Sequence, residues 1–251
     1  IYMEKSEKNN LLIFGKHAIR EALSRETGKI SKIFVLNSLA PIKYDDLKKE
    51  CEAHNIPISS VPIQKLDRLS NQGNHQGFIA EISPIDYTNF FDWIEQTVVG
   101  PSTAVLLLDS IEDPHNLGAI IRSATAAGIS AIVIPTQQQV PVNATVFKVS
   151  AGTAGIIPVI RVHNTEQGLK DLKLAGFTLI GLEGNAPDSL WTAEWTGPLA
   201  FVVGSEGGGI SKKVAKLLDS SVSIPMEHAV ESLNASVSAA LISYEWKRRQ
   251  A

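Results

Sequence analysis

Three short stretches of this sequence concentrate residues whose types and spacing suit chemistry. The first runs Asp109-Ser-Ile-Glu-Asp-Pro-His-Asn-Leu-Gly-Ala-Ile-Ile-Arg122, a polar loop followed by an apolar helical pattern. Asn116 is a candidate cap for that helix, and Arg122 lies about two turns further on. A guanidinium beside Ile120 and Ile121 calls for an anionic or hydrogen-bonding partner. The second stretch, Phe201-Val-Val-Gly-Ser-Glu-Gly-Gly-Gly-Ile-Ser211, puts glycines between a strand and a helix, where a ligand can approach the backbone closely. The third is Ser223-Ile-Pro-Met226, followed by Glu231-Ser-Leu-Asn-Ala-Ser236, which opens a final helix with good starting residues in Ser232 and Asn234.

The glycine loop is not a nucleoside triphosphate cradle. Gly204 and Gly209 have the spacing of a phosphate-binding loop, but Ile210 stands where its lysine belongs. Glu206 inside the loop would repel a phosphate chain. No G-x-G-x-x-G follows the first strand of this segment, so the dinucleotide fingerprint is missing as well. Read singly, each stretch also fits a plainer role: a capped loop, a tight turn, a helix start.

These residues need a scaffold, and the apolar periodicity supplies one. Residues 104–108 form an almost wholly apolar strand, as expected where helices cover both faces of a sheet. Helix 117–127 follows, closed by Gly128. Strands at 131–134, 159–162, 178–182, 199–203 and 222–224 alternate with helices at 144–150, 166–175, 211–217 and 234–249. Alternation of this kind predicts a parallel sheet with ligands beyond the carboxyl ends of its strands. Ahead of it, residues 11–85 read as a smaller α/β unit with helices at 15–23, 45–54 and 64–69 and strands at 32–36, 56–61 and 77–82. Residues 86–102 read as a linker containing a short helix, and residues 1–10 as a flexible N-terminus without the apolar core of a signal peptide.

Bulk properties narrow the function classes. Hydrophobic residues make up 44% and charged residues 20% of 251, a globular composition. No apolar run is long enough for a membrane helix. The lone Cys51 excludes an internal disulfide and any multi-cysteine zinc site, and it fits a reducing, cytoplasmic setting. The six histidines show no ligand spacing, so no metal is expected. Net charge is −3, but residues 11–85 carry ten Lys+Arg against eight Asp+Glu, while residues 86–251 carry eleven against sixteen. Nucleic acid, if bound, is met through local patches rather than a broad cationic surface.

Taken in order, D-P-H-N-x-G-A-x-x-R-[ST]-A, G-[SA]-E-G-x-G and I-P-M…S-L-N-x-S closely resemble the motifs of the SpoU/TrmH family of RNA ribose 2′-O-methyltransferases. Asn143-Ala-Thr and Pro158-Val-Ile-Arg-Val162 resemble its ribosomal-RNA branch. Phe14-Gly-Lys-His-Ala18 and Asn74-His-Gln-Gly77 resemble that branch's N-terminal RNA-binding domain, which is similar to ribosomal protein L30e. The resemblance spans nearly the whole chain. It implies an α/β fold in which the L30e-like domain (11–85) precedes a catalytic parallel-sheet domain (103–251) tied in a deep trefoil knot. It also implies S-adenosylmethionine as cofactor and a homodimer whose sites assemble at the subunit interface.

By resemblance, Gly204, Ile224 and Leu233 contact the cofactor, and Arg122 acts on the ribose hydroxyl. Arginine keeps its proton at ordinary pH. Either an RNA phosphate helps it relay the proton, or it stabilises the alkoxide while another group accepts the proton. Asn116, Glu206, Ser232 and Asn234 are the other polar catalytic candidates. Lys16, Arg20 and His75 are candidates for substrate RNA, with DNA excluded because the 2′-hydroxyl is the target. A guanosine of large-subunit ribosomal RNA is the expected substrate. Transfer RNA is the alternative within the enzyme class, and a non-catalytic RNA-binding protein the alternative outside it.

Overall fold

The structure is a computed structural model that describes residues 4–5, 11–26, 29–205, 207–227 and 232–250. Two compact units emerge: residues 1–86 with 141–144, and residues 87–140 with 145–251.

The first unit holds a five-stranded sheet in the order β1 (Glu4–Lys5), β2 (Leu11–Phe14), β5 (Phe78–Ile82), β3 (Ile30–Leu36), β4 (Ile58–Val61). Strand β5 runs antiparallel to both β2 and β3, whereas β3 and β4 are parallel. Helices α1 (Lys16–Glu26), α2 (Asp45–Ala53) and α3 (Ile63–Leu69) complete it. One face of the sheet buries Ile19, Leu23, Leu47 and Cys51; a smaller cluster of Leu12, Phe34, Val61, Leu66 and Ile79 forms around α3. Periodicity located α2 and α3 to within a residue and α1 to within three, its C-terminal end falling short. It missed β2, whose four apolar residues do not alternate, and with it the mixed character of the sheet. The segment expected to be flexible lies outside the described residues except for Glu4–Lys5, which pairs with β2.

The second unit is a seven-stranded parallel sheet in the order β10 (Asp188–Ser189), β12 (Ser220–Ser223), β9 (Thr178–Leu182), β11 (Leu199–Val203), β6 (Ala104–Leu108), β7 (Ala131–Pro135), β8 (Val159–Val162). Every residue of β6, β7, β8 and β11 is buried, which explains the continuous apolar runs of β6, β7 and β11. Helices α4 (Phe90–Gln96), α5 (Pro114–Ala127), α6 (Ala144–Val149), α7 (Thr165–Leu174), α8 (Lys212–Ala215) and α9 (Ala235–Arg249) cover the sheet. Of residues 86–102, read from sequence as a linker, all but Asp86 are built into this unit. Phe90 and Trp93 of α4 are buried with Phe177 in its main core. Strand order reverses direction around β6 and β11, and a crevice opens at such a switch beyond the strands' carboxyl ends. The loops after β6, β9, β11 and β12 all meet at that end of the sheet.

Candidate active site

Parallel register sets the floor of the site. Val203 of β11 pairs with Leu108 of β6, and Val202 pairs with Gly181 of β9, whose Leu182 pairs with Val222 of β12. The residues that follow (Asp109, Gly204, Glu183 and Ile224) therefore leave the sheet at similar heights. Above them lies a cavity of about 750 Å³, within the usual range for a small-molecule site. Gly204, Ile224 and Leu233, the three positions expected to touch a cofactor, all line it. So does Ser232. The loop Leu182–Pro187 forms another wall, and sequence reading passed over it. Its signal was present: a Gly-Asn-Ala-Pro turn at the carboxyl end of a strand, where the crevice rule directs attention.

The glycine loop closes on itself. Ser205 and Gly209 exchange backbone hydrogen bonds of 3.2 and 2.9 Å. A Cβ on Gly204 would lie 2.1 Å from the Gly209 carbonyl carbon. Glycine is thus required at 204 by the loop's own backbone, a different reason from the ligand approach inferred from sequence. Buried Asp109 anchors the neighbouring segments, accepting from the Thr165 hydroxyl at 2.7 Å and from the Ser211 backbone N–H at 3.2 Å. Glu206 lies outside the described residues, as does Glu231.

Helix α5 starts earlier than its apolar periodicity suggested. Asp113, not Asn116, is the N-cap: its side chain accepts from His115 N–H at 2.8 Å, and Pro114 occupies the first turn. Gly128, at φ 86°, closes the helix as expected. Gly118 is a packing requirement, since a Cβ there would lie 2.7 Å from that of Val149. Freed from capping, the buried Asn116 takes on a longer-range task. Its Oδ1 accepts from the Asn234 side-chain amide at 3.0 Å. Asn234 is the N-cap of α9, with its own Oδ1 accepting from the Ser236 and Val237 N–H groups. One carboxamide pair thereby joins the first and third sequence motifs, which lie 118 residues apart, next to Leu233 and Ala235 in the cavity wall.

This arrangement makes Asn234 testable. Asn234→Ala removes a cap and a buried partner of Asn116, so it should lower the unfolding free energy by about 1–2 kcal/mol. Asn234→Asp keeps the capping acceptor but not the donor and should cost less. A denaturation cycle combining Asn234→Ala with Asn116→Ala should give a coupling of at least about 0.5 kcal/mol. Strict additivity would mean that the two amides do not act together.

Arg122 is not enclosed by its apolar neighbours. Ile120 and Ile121 turn inward, whereas Arg122 is exposed and outside the cavity lining. Among the described residues it has no hydrogen-bond or ion-pair partner. The need for a partner inferred from sequence is therefore unmet among the described residues. In the first unit, Lys16 and Arg20 converge on Asp46 at 2.8 and 2.9 Å, which offsets much of their charge. His75 is buried: Nδ1 accepts from Gly77 N–H at 3.0 Å, and Nε2 lies 3.1 Å from Asp67. Its imidazole shapes the Asn74–Gly77 turn.

Known proteins match the chain over both units. The model of the SpoU rRNA methylase family matches residues 103–244. A second, described as RNA 2′-O ribose methyltransferase substrate binding, matches residues 12–88. A Staphylococcus aureus protein named for the TrmH family of tRNA/rRNA methyltransferases is 40% identical over 95% of this chain and 96% of its own. The 23S rRNA (guanosine-2′-O-)-methyltransferase RlmB of Vibrio parahaemolyticus is 34% identical, over 96% of this chain and 98% of its own. Among solved structures, an AdoMet-bound rRNA methyltransferase from Sinorhizobium meliloti shares the fold: TM-score 0.61 at 21% identity, covering 98% of this chain and 89% of that one. The chain belongs to the SpoU rRNA methylase family.

Proposed function

We propose that this protein transfers the methyl group of S-adenosylmethionine to a ribose 2′-hydroxyl of RNA, on a guanosine of the large-subunit ribosomal RNA. The observation that carries the reading is the cavity at the strand ends, where Gly204, Ile224 and Leu233 converge. Its apolar wall residues suit an uncharged adenine, and its exposed loop backbone suits the polar remainder of the cofactor. No phosphate-binding lysine is present. When bound, S-adenosylmethionine supplies an electrophilic methyl on a sulfonium centre.

The residues around it do the rest. Asn116 and Asn234 fix the start of α5 against the start of α9, and Ser232 lines the cavity. Arg122, permanently cationic, stabilises the ribose oxygen as it loses its proton. Its exposure, and its lack of a partner among the described residues, fit a group that waits for an anionic substrate. A homodimer completes the site by bringing Arg122 to a cavity mouth. The unit beginning at residue 11 supplies RNA recognition, a role supported by the substrate-binding model matching residues 12–88. The trefoil knot fits the return of α9 from the β12 edge to pack along α5. No described helix is long and apolar enough to cross a membrane.

The reading is tested by cofactor and by product. Calorimetry should show binding of S-adenosylmethionine and of its demethylated product, and none of ATP. Incubation with radiolabelled methyl donor should label large-subunit ribosomal RNA at a ribose in preference to transfer RNA. Tight ATP binding without response to the methyl donor rejects the activity; exclusive labelling of transfer RNA rejects only the substrate.

A further inference from the structure

We infer that Glu183 is the cofactor's ribose anchor, its carboxylate accepting from the vicinal hydroxyls of the adenosine moiety. This assignment rests on the methyl-donor reading above and adds to it a residue that no motif supplied. Among the described residues lining the cavity, Glu183 has the one ionisable side chain. Its position is determined twice. The backbone is pinned because Glu183 N–H donates to Val222 C=O at 3.0 Å and Glu183 C=O accepts from Ala186 N–H at 3.2 Å. The side chain is pinned because the Ser221 hydroxyl donates to Oε2. Ser221 lines the same cavity. Among the described residues, Oε1 takes no hydrogen bond. A carboxylate held this firmly with one oxygen unused is a preorganised acceptor.

The donor that matches it follows from its place in the sheet. Strand β9 runs between β12 and β11, so Glu183 emerges level with Gly204 on one side and with Ser223, one residue before Ile224, on the other. An adenine against Ile224 puts its attached ribose within reach of the middle strand. A ribose diol offers two O–H donors and no charge. The cofactor's amino-acid end offers an ammonium with a carboxylate beside it, so attraction to one is opposed by repulsion from the other. Acidic residues near strand ends serve ribose hydroxyls in dinucleotide sites by the same chemistry.

The test uses the full-length chain and calorimetric binding of S-adenosylhomocysteine and its 2′-deoxy and 3′-deoxy ribose analogues. Wild-type protein should bind at least one deoxy analogue about tenfold or more weakly, the loss expected for one hydrogen bond to a charged acceptor. Glu183→Ala should weaken binding of the parent compound by a similar factor and bring the deoxy penalty below about twofold. Glu183→Gln, with a neutral acceptor, should fall between the two. Unchanged circular dichroism of the variants separates these effects from misfolding; if Glu183→Ala is unfolded, the Gln variant decides. A deoxy penalty equal in wild type and variant overturns the assignment, as does a variant that weakens S-adenosylmethionine but not the product, which lacks the sulfonium charge. Wild-type protein that binds neither compound overturns the methyl-donor reading itself.

Discussion

Replacing Arg122 with lysine is expected to lower the methylation rate at least about a hundredfold, the scale of one donor aimed at a developing charge. Cofactor affinity and thermal stability should stay near wild type. The structure makes this separation cleaner than the sequence alone would. Arg122 is exposed, lies outside the cavity lining, and has no partner among the described residues, so little of the fold depends on it. Lysine keeps the charge but not the planar fork that grips two oxygens at once. Single-turnover kinetics with saturating RNA would read the chemical step, and calorimetry the cofactor. A lysine variant with near-normal turnover would show that positive charge alone is needed. A marked loss of stability would give Arg122 a structural role instead.

The sequence revealed the second unit better than the first, for a physical reason. Strands buried on both faces have continuous apolar runs, and β6, β7 and β11 were placed almost to the residue. The sheet of the first unit depends on β2, four apolar residues without alternation, whose antiparallel pairing with β5 is a tertiary fact. At the site, residue identities were legible and their partners were not. Asn116 looked like a cap because caps are local; its bond to Asn234 spans 118 residues and leaves no trace in periodicity. Arg122 looked enclosed because Ile120 and Ile121 precede it, but successive helical residues face different directions, and the two isoleucines take the buried side. Lys16 and Arg20 looked free because Asp46, which pairs with both, is 30 and 26 residues away along the chain.

The glycine loop yields the other large effect, with its control built in. Gly204→Ala should lower affinity for S-adenosylhomocysteine at least about thirtyfold, corresponding to about 2 kcal/mol. The added Cβ would lie 2.1 Å and 2.2 Å from the carbonyl carbon and oxygen of Gly209 and 2.4 Å from the Ile210 nitrogen. All three are backbone atoms, so no side-chain rotation can relieve the clash. The Ser205–Gly209 pairing must open instead, displacing a wall of the cavity. The strands beneath are held by their own ladders, so circular dichroism should still report the parallel sheet. Gly207 lies in the same loop, yet a Cβ there would meet nothing within 4 Å. Gly207→Ala should therefore bind within about threefold of wild type, since one methyl in open space adds no clash and loses no contact. Equal losses in the two variants would mean that the loop needs flexibility in general. Wild-type affinity in Gly204→Ala would mean that the pairing opens at no cost and that the loop is not a fixed wall of the site.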